Sequence, residues 1–497
     1  MNEVVVLRLR GSDPRHNYSD PGDPFWPPPD NYPASALRFV NEMTKRDTSV
    51  RNWADEWYQF TGSGYERRDD RDIRDAIRAA TEHAKYVGSG KDPQALNWKP
   101  TLNKLRETAD AVRGIVKLPA HRIPPFIING EYDGELKIAV RNGVVRVRDR
   151  KLIKPDSDLF SINPLPFDYD PAAPTPNFRA YLNSSLPGDD RQLLASQWAG
   201  YLMSGRTNRQ KALNIKGPSG SGKGTLLWLL KQLVGQNVKV IKPKDLDYDF
   251  GLDGLQYASL ATFSDVREMT PRHRGLLLEL ILQVIGEDDV PINRKHKGQW
   301  DGPVPARITY AGNDMLLLDD PAGAVMRRMM FLDLPDASIK DNPDNNLRSK
   351  MLDELPGMLN WALDGLDSLT ADDKFVILES TAGEREFLDT ASPMRQYVND
   401  ECECVNSRDV FTKVSDVLAS VRQWAREHGH ENHPDFRNEN AIFNALKMVV
   451  QSKGIGVFGR TQRRIDDKRP YVYEGIRVRH PRVTLVSPPA SPSKNTA

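Results

Sequence analysis

The middle of the chain alternates short apolar runs with segments whose leucines recur at helical spacing. Ala212, Leu213 and Ile215 read as the end of a buried strand, and Leu226, Leu229, Leu230 and Leu233 mark one face of the helix after it. Ala258 to Phe263 and Ala306 to Ala311 are two further apolar strands. Between them Thr270-Pro271 is a cap and first-turn pair, the apolar stretch from Leu276 to Ile285 continues the helix, and Gly286 stops it. This alternation from 210 to about 335 predicts an α/β core with a largely parallel sheet. Within it, residues 288–300 read as a strand, a basic turn and a returning strand.

The flanks are patterned differently. Upstream, Asp72 to His83 reads as a helix, Lys137 to Val147 as strands with a hairpin turn at Asn142-Gly143, and Arg191 to Met203 as a helix. Residues 12–35, with Pro27-Pro28-Pro29, read as a disordered leader. Downstream, Leu347 to Leu366 is a candidate helical lid. Val410 to His428 and Glu439 to Lys453 read as helices, and a two-stranded element ending at Val478 follows, which is the order of a winged helix. The tail from Pro488 is rich in Pro and Ser and reads as disordered. The expected divisions are a leader at 1–35, an N-terminal α+β domain at 36–195, the core at 196–335, a helical lid or connector at 336–404, the winged helix at 405–484 and a tail at 485–497.

Composition sets broad limits. A chain of 497 residues predicts three or four domains, and 28% charged with 39% hydrophobic residues is ordinary for a globular protein. No apolar run is long enough to span a membrane and the start lacks a secretory signal, so the expected location is cytoplasmic, with no membrane partner. Cys402 and Cys404 form a C-x-C pair with His428, His430 and His433 downstream; the spacing matches no common zinc finger, and surface thiols and histidines are the preferred reading. The net charge of +1 decides nothing about polyanions, which respond to local clusters. Three occur: Arg146 to Lys151, Arg294-Lys295-His296-Lys297, and Arg460, Arg463, Arg464, Lys468 and Arg469.

The turn between the first core strand and its helix is Gly217-Pro218-Ser219-Gly220-Ser221-Gly222-Lys223-Gly224-Thr225. Its glycines let successive backbone N–H groups wrap a phosphate, Lys223 adds a positive charge, and the helix N-terminus adds its dipole. The chain is therefore expected to bind a nucleoside triphosphate. The usual place of the magnesium-binding hydroxyl is Gly224, so metal contact comes through Thr225 or through a bound water. A triphosphatase also needs an acid near metal and attacking water, usually at the end of the strand beside the loop strand. Asp265, closing the strand that ends at Phe263, is that candidate, with Glu268 a second acid. Asn313 ends the next strand with an amide that can bond the γ-phosphate or its water. Asp245-x-Asp247-x-Asp249 reads as a solvated loop.

The order of phosphate loop, acidic strand, Lys/His hairpin, strand-terminal Asn and the paired arginines Arg327 and Arg328 resembles superfamily 3 helicases, and within them the phage and plasmid primase-helicases related to the poxvirus primase-helicase. Asn142 to Val145, Asp168 to Ala172 and Trp198 to Gly205 are similar to that group's N-terminal helicase-associated domain, and Leu355 to Ala362 to the segment after its core. The resemblance implies an AAA+-like P-loop ATPase core and a ring-forming, ATP- and Mg2+-dependent DNA helicase, 3′ to 5′, assembled as a homo-oligomer, a hexamer. It implies that Gly217, Gly220, Gly222, Lys223 and Thr225 bind triphosphate, that Asp265 is the strand-end acid and Asn313 the sensor, and that Arg327 or Arg328 is a finger donated to the neighbouring subunit. Lys295 and His296 correspond to the hairpin that grips DNA phosphates. Single-stranded and forked DNA are the implied partners, with a separately encoded primase or polymerase beside them. Asp265 stands where the group usually has Glu, and Gly312 where Thr is common. Two rival functions remain: a nucleotide-dependent origin-binding initiator without unwinding, and a nucleoside monophosphate kinase-like phosphotransferase, whose phosphate loop ordinarily lies near the N-terminus.

Overall fold

The computed structural model describes residues 17–88, 94–130, 135–162, 164–263, 269–295, 297–313, 316, 318, 325–335, 344–378, 392–465 and 468–479. They fall into two compact units, the described parts of Met1–Met269, Leu280–Asp314 and Met329–Glu379 in one, and of Thr270–Glu279, Met315–Arg328 and Ser380–Ala497 in the other.

The first unit begins with α1 (Tyr32–Lys45), an antiparallel sheet of β1 (Val50–Trp53), β2 (Glu56–Phe60) and β3 (Tyr65–Arg68), α2 (Asp70–Thr81), the pair β4 (Lys85–Val87) and β5 (Ala95–Asn97), and α3 (Leu102–Val116). Asp69 and Asp72 form a reciprocal capping box that fixes the start of α2. Phe39, Trp57, Ile73, Ile77, Trp98, Leu105 and Val112 fill the core between these elements. The expectation of a disordered leader is corrected for residues 17–31. Trp26 is 5% exposed, and its backbone N–H bonds Lys85 O at 2.8 Å. Arg38 donates to the carbonyls of Asp20, Pro21 and Asp23, Asn41 to that of Ser19, and Trp98 Nε1 to that of Pro27. A proline-rich segment makes few backbone bonds of its own, so its carbonyls are available to such side-chain donors.

Next come β6 (Phe126–Ile127), which pairs with β10 (Leu159–Phe160), and the antiparallel sheet of β7 (Lys137–Val140), β8 (Gly143–Arg146) and β9 (Lys151–Ile153). The expected hairpin turn at Asn142 joins β7 to β8, and the Asn142 amide bonds both backbone groups of Tyr169. Helices α4 (Pro176–Ser185) and α5 (Asp189–Met203) lead into the core.

The core contains β11 (Ala212–Lys216), α6 (Lys223–Val234), β12 (Val238–Ile241), β13 (Leu260–Phe263), α7 (Pro271–Gly286), whose residues up to Glu279 belong to the second unit, the hairpin β14 (Val290–Ile292) and β15 (Trp300–Gly302), β16 (Arg307–Gly312) and β17 (Met329–Asp333). Five strands form one parallel sheet in the order β12-β13-β16-β11-β17. One expectation is overturned here: the strand before Asp265 does not lie beside the loop strand. Thr309 of β16 pairs with both Leu213 and Thr262, which inserts β16 between β11 and β13. Trp198 Nε1 on α5 donates to the buried Thr309 Oγ1 at 2.9 Å, which ties that central strand to the helix layer.

Helices α8 (Leu347–Leu352) and α9 (Leu355–Asp372) close the unit. The division expected at 195/196 falls inside α5, and α9 belongs to the same buried cluster as α5, β11 and α6 rather than to a separate lid. Gly200 of α5 and Gly365 of α9 explain the closeness. A Cβ on Gly200 would come 2.3 Å from the Ala362 carbonyl oxygen, and one on Gly365 would come 2.2 Å from the Ser196 carbonyl carbon.

The second unit includes α10 (Pro393–Glu401), β18 (Cys402–Cys404), β19 (Phe411–Lys413), α11 (Val414–Glu427), α12 (Glu439–Ser452), β20 (Gly459–Gln462), β21 (Tyr471–Glu474) and β22 (Ile476–Val478). Its sheet has three strands, β19-β21-β20, and β18 pairs separately with β22. The helix expected from Val410 starts only at Val414, because Phe411 to Lys413 pair with Val472 to Glu474. The expected surface thiol at Cys402 is instead buried, within the cluster that includes Tyr397, Val417 and Ile442. Among the described residues no helix is long and apolar enough to cross a membrane.

Candidate functional site

The phosphate-loop sequence occupies the turn from β11 to α6, at the C-terminal end of the parallel sheet. Gly220 and Gly222 adopt φ of 81° and 92°, a backbone region where side-chain-bearing residues are strained. Gly217 and Gly222 are required for space as well. A Cβ at Gly217 would meet Ser221 Oγ at 2.5 Å, and one at Gly222 would meet Ser185 Oγ at 2.4 Å. Lys223 Nζ lies across the loop and donates to the Pro218 carbonyl at 2.9 Å. The hydroxyls of Ser185 and Ser221 are buried and make no hydrogen bond. A cradle that excludes side chains, a lysine folded over it and two unsatisfied buried hydroxyls fit a bound phosphate chain. Thr225 is half-buried in the first turn of α6, and Pro218 and Ser219 form the rising arm of the loop.

Asn313 directly follows β16, and the parallel pairing of Lys216 with Gly312 brings it to the same end of the sheet as Gly217. Asp333, which ends β17 opposite Lys216, adds an acid at that end which the sequence reading missed. Arg327 and Arg328 share one short 3-10 turn, Met326–Arg328, with Arg327 exposed and Arg328 half-buried. Asp265, Glu268 and His296 lie outside the described residues.

Three groups around the loop were also invisible in the sequence. Tyr181 Oη donates to the Gly222 carbonyl at 2.9 Å, and Ser185 lies one helical turn further along α4. Arg348 Nη2 on α8 donates to the Gly224 carbonyl at 3.0 Å, its guanidinium 5.9 Å from the centre of the Trp228 ring. Tyr181 falls in an apolar helical stripe with Phe178 and Leu182, which reads as core and nothing more.

The basic hairpin is present, but its charges are divided. Arg294, expected to face DNA, is only 6% exposed. It donates to Gly298 O at 2.7 Å, Ala54 O at 2.8 Å and Asp55 Oδ2 at 3.1 Å. Lys297 Nζ lies 2.6 Å from Glu56 Oε1. Both therefore bind the hairpin to the β1–β2 turn, which the sequence reading did not foresee. Lys295 is exposed. A similar division occurs in the second unit. Arg460 pairs with Glu439 and lies over Tyr471, and Arg463 pairs with Glu474 and lies over Phe411, so both brace the β20–β21 hairpin. Arg464, Lys468 and Arg469 are exposed towards its tip.

Residues 36–187 match the family described as D5 N terminal like, and residues 215–328 match a family of unknown function, DUF5906. Among solved structures, the chain is similar to the apo structure of the NrS-1 C terminal region (305-718), at 12% identity over 89% of this chain and 99% of that one, with a TM-score of 0.51. An A form apo structure of the NrS-1 C terminal region matches at 10% identity over 88% and 98%, with a TM-score of 0.48. No curated protein matches the chain.

Proposed function

We propose that the chain, which carries a D5 N-terminal-like domain ahead of a DUF5906 domain, belongs with the D5-like primase-helicases and is an ATP-driven, ring-forming DNA helicase or translocase of phage or plasmid replication, moving 3′ to 5′. The observation that carries this reading is the phosphate cradle: left-handed glycines, Lys223 and two unsatisfied hydroxyls at the head of a parallel sheet. In it the backbone N–H groups of Gly220, Gly222, Lys223 and Gly224 and the Lys223 ammonium hold the β- and γ-phosphates. Thr225 and Asp265 are the residues that would hold magnesium, whose charge offsets that of the phosphate oxygens. Asp265, Glu268 and Asn313 orient the attacking water, and Arg327 or Arg328 of one subunit completes its neighbour's site within a homo-oligomeric ring, a hexamer. Lys295 in the β14–β15 turn and the adjacent His296, with Arg464, Lys468 and Arg469 on a C-terminal winged helix, contact single-stranded or forked DNA.

The test is ATP turnover with and without single-stranded DNA. Lys223→Ala should abolish hydrolysis, and Asp265→Asn should abolish it while nucleotide binding survives better. Near-normal turnover in Lys223→Ala would sink the assignment. Turnover that responds to a nucleoside monophosphate and not to DNA would favour a phosphotransferase, and DNA binding without unwinding of a fork would favour an initiator.

A further inference from the structure

Two elements distant in sequence rest against the phosphate loop, and one buried carboxylate joins them. Helix α4 has no side-chain cap of its own. Its first turn is capped instead by Glu354, 6% exposed, which lies in the α8–α9 connection. Glu354 accepts from the backbone N–H groups of Asn177 at 2.9 Å and Phe178 at 2.8 Å, and from Asn177 Nδ2 at 2.6 Å. A carboxylate at this place satisfies orphan donors and opposes the helix dipole. The ring of Phe178 meets Trp361 of α9 edge-on at 5.0 Å. Thus α4 is fixed at one end, and its Tyr181 and Ser185 side chains meet Gly222.

We infer that Tyr181 is a positioning residue for nucleotide: its hydroxyl sets the plane of the Gly222–Lys223 peptide and thereby aims the Lys223 N–H at the phosphates. The inference rests on the nucleotide reading of the loop. The Gly222 carbonyl accepts three hydrogen bonds, from Tyr181 Oη, from the Thr225 N–H at 2.9 Å and from the Leu226 N–H at 3.0 Å. In a trans peptide the N–H points opposite to the C=O, so fixing this oxygen fixes the direction of the first amide of α6. Gly222 itself has no side chain to hold its left-handed conformation, and Ser185 packs where a Cβ would stand. Burial also pushes the Tyr181 phenol well above its usual range, which keeps it a proton donor.

The test is isothermal titration of the full chain with ADP and, separately, with inorganic pyrophosphate, which has neither base nor sugar. Tyr181→Phe keeps the ring and leaves the Gly222 carbonyl its two helical donors, so the nucleotide-free thermal transition should fall by about 2 °C or less. Affinity should fall about 3- to 10-fold because the Lys223 N–H is no longer aimed before the ligand arrives, and by the same factor for both ligands. The KM for ATP should rise accordingly while kcat stays within about twofold. Ser185→Thr, which keeps the hydroxyl and adds a methyl group against Gly222, should weaken both ligands by the same route and serves if the first variant misfolds. Wild-type affinity in both variants would overturn the role of Tyr181 and leave the nucleotide reading intact. Failure of the unaltered protein to bind either ligand would overturn both.

Discussion

Arg294 offers a clean separation of scaffold from function, because its neighbour Lys295 carries the same charge one residue away and is exposed. Arg294→Met keeps the apolar stem and removes three hydrogen bonds, two that join the β14–β15 hairpin to the β1–β2 turn and one to Gly298 within the hairpin. Bonds from a charged donor are worth about 1.5–3 kcal/mol each. The Asp55 bond is discounted because that carboxylate is 50% exposed. Relief of the guanidinium's desolvation offsets a further part. The remainder, about 2–3 kcal/mol, falls on local opening of the hairpin. Amide hydrogen exchange over residues 290–295 and 297–302 should therefore accelerate about 30- to 150-fold in Arg294→Met. Lys295→Ala should leave exchange unchanged, since a surface substitution of this kind shifts stability by no more than about 0.5 kcal/mol. DNA-stimulated ATP turnover should show the opposite dependence, with Lys295→Ala lowering it more. Unaltered exchange in Arg294→Met together with a loss of DNA affinity would refute the internal role and return Arg294 to the DNA-facing surface.

Trp26→Ala should destabilise the N-terminal part of the first unit by about 3–5 kcal/mol, seen in thermal unfolding and in new proteolytic cleavage between residues 17 and 31; an unchanged transition would restore the leader to a loose tail. Burial pushes the Cys402 thiol up to about 12, so native protein at pH 8 should expose it to alkylation only on unfolding, and Cys404 should react first. Because the folded thiol keeps its proton where the unfolded one has lost it, the stability it contributes is complete below about pH 9 and declines towards pH 12. Replacing Arg464, Lys468 and Arg469 together with alanine should lower the slope of log affinity against log salt for duplex DNA by about 2–3. Replacing Arg460 and Arg463 should leave that slope nearly unchanged and loosen the hairpin; equal effects from both sets would refute the division between bracing and contact.

The glycine-rich turn from β11 to α6 was legible because its geometry is local: glycines that must turn, a lysine and a helix start, all within one short segment. The β14–β15 hairpin was legible for the same reason, through strand, turn and strand. The fate of its charges was not, since Arg294 is buried by acceptors at Ala54 and Asp55, 240 and 239 residues upstream. Composition misled at residues 17–31, where docking depends on Trp26, Arg38 and Trp98 rather than on proline content. Strand order left no local trace either. β13 and β16 are each apolar runs after the loop, and only their pairing shows which one lies next to β11. Tyr181 was hidden because a tyrosine in an apolar stripe is indistinguishable from packing until Gly222 is seen beside its hydroxyl.

The contact of α5 with α9 through Gly200 and Gly365 limits what kind of machine this core can be. Helices separated by ordinary side chains can ratchet, one set of knobs moving to the next set of holes. Here the backbones meet where only hydrogen atoms fit, and a slip of one residue would drive Tyr201, Ala199, Leu366 or Asp364 into that gap. The pair behaves as a single beam that turns or tilts as a whole but does not telescope. Any rearrangement of this unit therefore has to find its give in the loops around the two helices and not in the seam between them.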